Sequence, residues 1–222
     1  RHGTGGRIWV LGLGGAGIGA ATGLADRGMG VAVIAPEGAP APVSHLAGGM
    51  LAPFCEGESA PPLVVARGQA AVDWWAARLP VTRRGTLVLA APRDTVELDR
   101  FARATTGHAW ADPGTLEPDL QGRFARGLFY ASEAHMDPRV ALDTLRAALI
   151  ARGTAFRPGA PRGRIVDCRG MAAAAHLPDL RAVRGEMIAV LAPDVTLSRT
   201  LRLLHPRFPC YIVPRGQGRF LI

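Results

Sequence analysis

The chain has 222 residues, 48% of them hydrophobic, which suffices for a sizeable buried core in one large domain or two interleaved ones and excludes a disordered chain. Its formal charge of +8 comes from 26 basic residues that are all arginine; they are scattered and only 6% of residues are aromatic, which argues against a nucleic-acid partner. Cys55, Cys168 and Cys210 form no CxxC pair and lack histidines at ligand spacing, and no apolar run approaches the roughly 20 residues that span a bilayer. Free thiols, no metal, no membrane partner and a cytoplasmic location are therefore expected.

Taken in chain order, Ile8 to Leu11 reads as a buried strand, followed by Gly12-Leu13-Gly14-Gly15-Ala16-Gly17 and a helix-like stretch from Ile18 to Arg27. Gly30 to Ile34 then supplies a second strand at the spacing of a βαβ unit. A strand, a glycine turn and a helix make a dinucleotide site, because the first glycine allows the tight turn, the second lets backbone approach a pyrophosphate and the third lets helix and strand pack closely. NAD and FAD fit this turn equally. A glycine-rich turn that binds nothing is the simpler reading, and the βαβ context outweighs it.

Ala35 to Ser44 is rich in Pro, Gly and Ala, and Leu46 to Pro53 is an apolar loop ending at Glu56 and Glu58. Helices are expected from Leu63 to Arg78, with Trp74 and Trp75 as core or interface anchors, from Asp94 to about Thr105, and from Asp137-Pro138 to Arg152. Strands are expected at Gly85 to Ala90, Gly127 to Ala131, Ile165 to Cys168, Glu186 to Leu191, Thr200 to Leu204, Cys210 to Val213 and from Arg219 onward. Asp112 to Leu120 reads as a turn-rich connection with room for a short helix, and Pro214 to Gly218 as a hairpin turn. The chain starts at Arg1 without Met and stops at Phe220-Leu221-Ile222, in what reads as the middle of a strand, so a fragment is expected.

Four further segments occur in order beside the glycine turn: Ala47-Gly48-Gly49-Met50-Leu51-Ala52-Pro53 with Glu56 just after, Ala134-His135-Met136-Asp137-Pro138, Val183-Arg184-Gly185-Glu186-Met187, and Cys210-Tyr211-Ile212-Val213-Pro214-Arg215. With them the chain resembles the FAD-dependent amine and amino-acid oxidases of the D-amino-acid oxidase class, and within that class it is similar to the glycine oxidases of thiamine biosynthesis. The resemblance implies an α/β fold in which a Rossmann-like FAD-binding domain (1-80 and 158-180) is interleaved with an α+β substrate domain (81-157 and 181-222) containing an antiparallel sheet. It implies FAD contacts from Gly12, Gly14, Gly15, Ala16, Gly17, Pro36, Ser44, Ala47, Gly48, Gly49 and Met50. The small residues at 47–49 would let backbone approach the isoalloxazine ring.

The same resemblance makes Tyr211 and Met50 the catalytic candidates, with the tyrosine hydroxyl positioning an amino-acid carboxylate. It implies oxidation of glycine or a similar small amino acid, electrons passing to O2 as H2O2, and an imine that feeds thiazole synthesis. Sarcosine, proline or D-amino acids remain open as substrates, as do a non-catalytic nucleotide-binding role and a homo-oligomeric state. Arg215 reads as a turn residue and His205 as a satisfied surface histidine. The chain departs from the family pattern at Ala35-Pro36, where an acid usually bonds the adenosine ribose; Glu37 comes two positions late. The family's carboxylate-binding arginine and last glycine-rich segment are expected beyond Ile222.

Overall fold

The computed structural model describes residues 6–205 and 207–222. They form two compact units, residues 6–47 with 138–186 and residues 48–137 with 187–205 and 207–222.

In the first unit β1 (Ile8–Leu11), α1 (Gly15–Asp26) and β2 (Val31–Ile34) make the βαβ unit. The chain returns to this unit through α5 (Pro138–Ala151), β8 (Ala155–Arg157) and β9 (Arg164–Asp167). The four strands pair in parallel in the order β8-β2-β1-β9, so the sheet reverses its direction of winding between β1 and β9. This is the 3-2-1-4 order of dinucleotide-binding sheets, whose ligands sit outside the strand ends at that switch. All four β2 residues are buried, as expected of a strand covered on both faces. Helix α5 buries Ala141, Leu142, Leu145 and Leu149, spaced as one helical face, and packs on α1.

The second unit holds β3 (Met50–Leu51), α2 (Pro62–Ala76), β4 (Thr86–Ala90), α3 (Thr95–Ala104), β5 (Ala109–Ala111), α4 (Pro113–Leu116), β6 (Gly127–Tyr130), β7 (Ala134–His135), β10 (Ala189–Leu191), β11 (Thr200–Leu204), β12 (Cys210–Gly216) and β13 (Arg219–Leu221). Seven of these strands form one sheet in the order β10-β13-β12-β11-β4-β6-β5, and β3 pairs β7 separately. The large sheet is the expected antiparallel one, with a single parallel pair where β11 meets β4. Strand β4 is buried along its length, and its two-residue alternation explains why. Val88 and Ala90 meet Leu98 and Phe101 of α3, while Leu87 and Leu89 meet Leu120 and Leu201 on the other face.

Several expected boundaries move. The unit divisions fall at 47/48, 137/138 and 186/187 rather than near 80, 157 and 180, because α5 is the crossover that leads into β8, whereas α2 lies against β3. Helix α1 begins at Gly15 instead of Ile18, with glycines inside its first turn. Strand β12 continues through Pro214 to Gly216, and the hairpin turn shrinks to Gln217 and Gly218, both with positive φ (52° and 66°). The strand expected from Glu186 starts only at Ala189. The short strands β3, β5, β7 and β8 are too brief to show an alternation in sequence. Trp74 and Trp75 are half-buried and meet edge to face at 4.8 Å, with the Arg78 guanidinium 4.0 Å over Trp74; the buried residue of α2 is Val72.

Two measurements test this packing. A Cβ on Gly17 would lie 2.0 Å from the Gly12 carbonyl oxygen, whereas one on Gly19 meets nothing within 4 Å. Gly17→Ala is therefore expected to destabilise by about 1–3 kcal/mol through overpacking, and Gly19→Ala to stabilise by roughly 0.5–1 kcal/mol through helix propensity. Urea unfolding of both variants decides, and equal midpoints would remove the close approach. In the second unit Glu133 is fully buried, accepting the Cys55 N–H at 2.8 Å, and burial pushes its carboxyl above the usual range. The folded chain then holds a proton that the unfolded chain releases, so this group subtracts stability as pH rises past the unfolded value of about 4.3. Glu133→Gln is expected to flatten that fall, seen as unfolding midpoints that converge at low pH and favour the variant at neutral pH.

Candidate functional site

In the first unit the site is built from main chain. Gly12, at the end of β1, has φ +116°, and a Cβ there would stand 2.4 Å from the Cys168 carbonyl oxygen at the end of β9. Only glycine fits both that conformation and that contact. Gly14 is the N-cap of α1 in extended conformation and offers no side-chain cap. The first N–H groups of a helix have no intrahelical acceptor. The Gly15 N–H donates to Ser44 Oγ at 2.9 Å, and Ile18 N–H returns to the Gly14 carbonyl at 3.0 Å. Between them the N–H groups of Ala16 and Gly17 stand in the first turn, at the positive end of the helix dipole. A Cβ on Gly14 would come within 3.1 Å of Ser44 Oγ, so the serine backs the turn closely.

This donor set fits a pyrophosphate: main-chain N–H groups, no acidic side chain in the first turn of α1, and no Cβ between strand and helix. Gly12, Gly14, Gly15, Ala16, Gly17 and Ser44 are thus gathered in one place. Pro36 and Ala47 are exposed. At the end of β2, where an acid was sought, the Ala35 N–H donates to the Arg157 carbonyl at 2.9 Å and Glu37 is exposed.

In the second unit Gly48, Gly49 and Met50 lead into β3. Met50 pairs with His135, the Gly49 carbonyl accepts the Met136 N–H at 2.9 Å, and the Gly48 carbonyl accepts Arg215 Nη2 at 2.7 Å. Val213 lies 3.4 Å from where a Gly48 Cβ would be. Met50 packs against the core cluster that includes Cys55 and Phe101.

Tyr211 of β12 stands opposite Arg202 of β11 in register. Its hydroxyl donates to Glu56 Oε1 at 2.9 Å, and burial raises the phenol above its ordinary value. The Arg202 guanidinium lies 4.7 Å from the Phe101 ring and 5.2 Å from the Tyr211 ring, donates from Nη1 to the Cys55 carbonyl at 2.6 Å, and stands 3.7 Å from Glu56. Arg202, Glu133 and the tethering role of Arg215 escaped the sequence reading. Arg215, expected as a turn residue, reaches Gly48 and Met136 instead. His205 accepts the N–H groups of Arg207 and Phe208 on Nδ1, at 3.2 and 3.0 Å. Among the described residues no group of three or more His, Cys, Asp or Glu could hold a metal ion, and no helix is long and apolar enough to cross a membrane.

Residues 7–222 match the family described as FAD dependent oxidoreductase (DAO). The chain is 50% identical over 228 residues to "Putative thiamine biosynthesis oxidoreductase ThiO" of Rhizobium etli, covering 97% of this chain and 70% of that protein. Among solved structures, glycine oxidase from Geobacillus kaustophilus is similar at 21% identity with a TM-score of 0.76, covering 97% of this chain and 70% of the other. Glycine oxidase from Bacillus cereus is similar at 18% identity, with the same TM-score of 0.76 and the same shares of 97% and 70%. With a family match over nearly its whole length and a relative at half identity, the chain belongs to the DAO family of FAD-dependent oxidoreductases.

Proposed function

We propose that this protein oxidises glycine or a similarly small amino acid: glycine, O2 and water yield glyoxylate, ammonia and H2O2 by way of the free imine. The observation that carries the reading is the glycine cradle, in which Gly12 and Gly17 exclude any Cβ and Ser44 orders the first N–H of α1 beside the family's cofactor turn. FAD held at this turn would supply a two-electron acceptor for the hydride of the substrate Cα and a route for those electrons to O2. With the Gly15 N–H taken by Ser44, the N–H groups of Ala16 and Gly17 would hold its pyrophosphate. Tyr211 orients the substrate carboxylate once its hydroxyl proton turns from Glu56 to the ligand, and the Arg202 cation over its ring holds it in place. The relative named for thiamine biosynthesis supports delivery of the imine to thiazole synthesis. Three free cysteines agree with a reducing, cytoplasmic setting.

Loading with FAD is expected to give a yellow protein that releases peroxide on glycine. A panel of glycine, sarcosine, proline and D-alanine ranks the substrates, and a protein that stays colourless after FAD addition sinks the proposal. Ser44→Ala removes one neutral hydrogen bond and is expected to weaken FAD by about two- to tenfold, read by quenching of flavin fluorescence. Tyr211→Phe is expected to raise KM for glycine more than it changes FAD affinity. Unchanged kinetics would take Tyr211 out of the substrate site.

A further inference from the structure

A line of alternating charges runs through the second unit from Tyr211 to α3. The Tyr211 hydroxyl donates to Glu56 Oε1 at 2.9 Å, and Arg202 Nη1 stands 3.7 Å from that same oxygen. Arg202 Nη2 lies 3.5 Å from Glu58 Oε2, Glu58 Oε1 accepts Arg100 Nη1 at 2.5 Å, and Arg100 Nε donates to Glu97 at 2.9 Å. The guanidinium between the two acids has a side chain only 13% exposed, holds the Cys55 carbonyl from Nη1 at 2.6 Å, and leaves its buried Nε without an acceptor. An arginine carries five N–H donors in one plane. Here one makes a short bond and one a long bond, so Arg202 holds more donor capacity than its present partners use.

Glu56 and an incoming carboxylate compete for a single proton. Burial raises the Tyr211 phenol, against a lowering pull from Arg202, and Glu56 raises it further, so the hydroxyl keeps its proton and has only that one to give. A hydrogen bond to an ionised acceptor is roughly twice as strong as a neutral one, so a ligand that takes the proton must leave Glu56 with another donor. The Glu56 side chain is 46% exposed, and the fixed donor beside it is Arg202 Nη1, 3.7 Å away against 2.9 Å for the hydroxyl. Arg202 and Tyr211 are register partners on β11 and β12, so both address Glu56 from one face of the sheet. The main chain just before Glu56 is held at both ends of Cys55, its N–H by Glu133 and its carbonyl by Arg202, so rotation of the Glu56 side chain suffices for the exchange.

We propose that Arg202 is a positioning residue that takes over Glu56 when a carboxylate binds, freeing the Tyr211 hydroxyl to donate to that ligand. This rests on the reading that Tyr211 takes the substrate carboxylate. The test uses the FAD-loaded protein and measures KM and kcat for glycine, together with the affinity of acetate, an unreactive carboxylate, by calorimetry. The variants are Arg202→Met, Glu56→Gln, the two combined, and Tyr211→Phe. Arg202→Met is expected to weaken acetate and raise KM about tenfold, the worth of one charge-assisted hydrogen bond, with KM moving more than kcat. A neutral amide at residue 56 competes less for the proton, so with Glu56→Gln already in place Arg202→Met is expected to change either value by less than about twofold. A cation acting only through its own field, or an arginine that only supports the fold, would weaken acetate by the same factor in both backgrounds, and that result overturns the proposal. Wild-type values in Arg202→Met beside impaired Tyr211→Phe overturn it as well, while the role of Tyr211 stands. Wild-type values in both variants also take Tyr211 out of the site. Should Arg202→Met not fold, the same cycle with Arg202→Lys, a point charge in place of the fork, decides, and an effect that is absent or independent of Glu56→Gln overturns the proposal.

Discussion

Helix α1 rises from β1 at a distance that leaves no room for a side chain: a Cβ at residue 17 would lie 2.0 Å from the Gly12 oxygen, and one at residue 12 would lie 2.4 Å from the Cys168 oxygen. These contacts join β1, α1 and β9 at the point where the parallel sheet changes its direction of winding. The closeness is what aims the helix N-terminus along the end of β1, and it explains the unequal demands along the turn. Residue 16 can be alanine because it faces outward, whereas residues 12 and 17 cannot. With Ser44 taking the Gly15 N–H, the following donors are left for an anion, and the dipole of a twelve-residue helix stands behind them.

The second unit is organised around buried polar groups. Glu133 holds the main chain of Cys55, and Arg202 holds its carbonyl while lying against the Phe101 and Tyr211 rings. Between these two grips the chain turns so that Glu56, half exposed, meets the Tyr211 hydroxyl. A charge inside a protein is tolerated when it is paired, and Arg202 is paired through its Nη atoms with a carbonyl and two carboxylates and lies against two aromatic faces, while its buried Nε has no acceptor. A second buried pair, Arg199 with Glu117 at 2.6 Å, serves the other side of the sheet, where Glu117 also accepts the Ser198 N–H and hydroxyl. Through these pairs the position of Tyr211 depends on residues that never approach it in sequence.

That separation sets what could be read from the chain beforehand. The βαβ unit was legible because its signals are local: an apolar run, glycines at fixed offsets and a second run at the right distance. Strands β4 and β11 were legible for the same reason, as short apolar segments bounded by turn residues. The pairing of Glu117 with Arg199 across 82 positions was not, because nothing in a turn-rich stretch such as Asp112 to Leu120 marks one carboxylate for burial. Arg215 was misplaced because a bulge leaves no local pattern; Pro214 and Gly216 suggested a turn, and the ladder with β13 carried the strand past them. The unit boundaries shifted since helices α2 and α5 look alike in sequence, and only their partners, β3 for one and α1 for the other, assign them.

The end of β2 shows how the first unit distributes its chemistry. Ala35 closes the strand by donating its N–H to Arg157, and the guanidinium of that arginine lies 4.4 Å over the Trp9 ring, so the rim of the sheet is finished by main chain and by a cation stacked on a buried indole. Ala35 and Pro36 contribute no side-chain acceptor there. A hydrogen bond absent at this rim is worth about 0.5–1.5 kcal/mol when neutral and about 1.5–3 kcal/mol when a carboxylate would make it. Either loss leaves the donors of α1 in place, and the constraint that cannot be relaxed without losing them is the glycine contact between helix and strand.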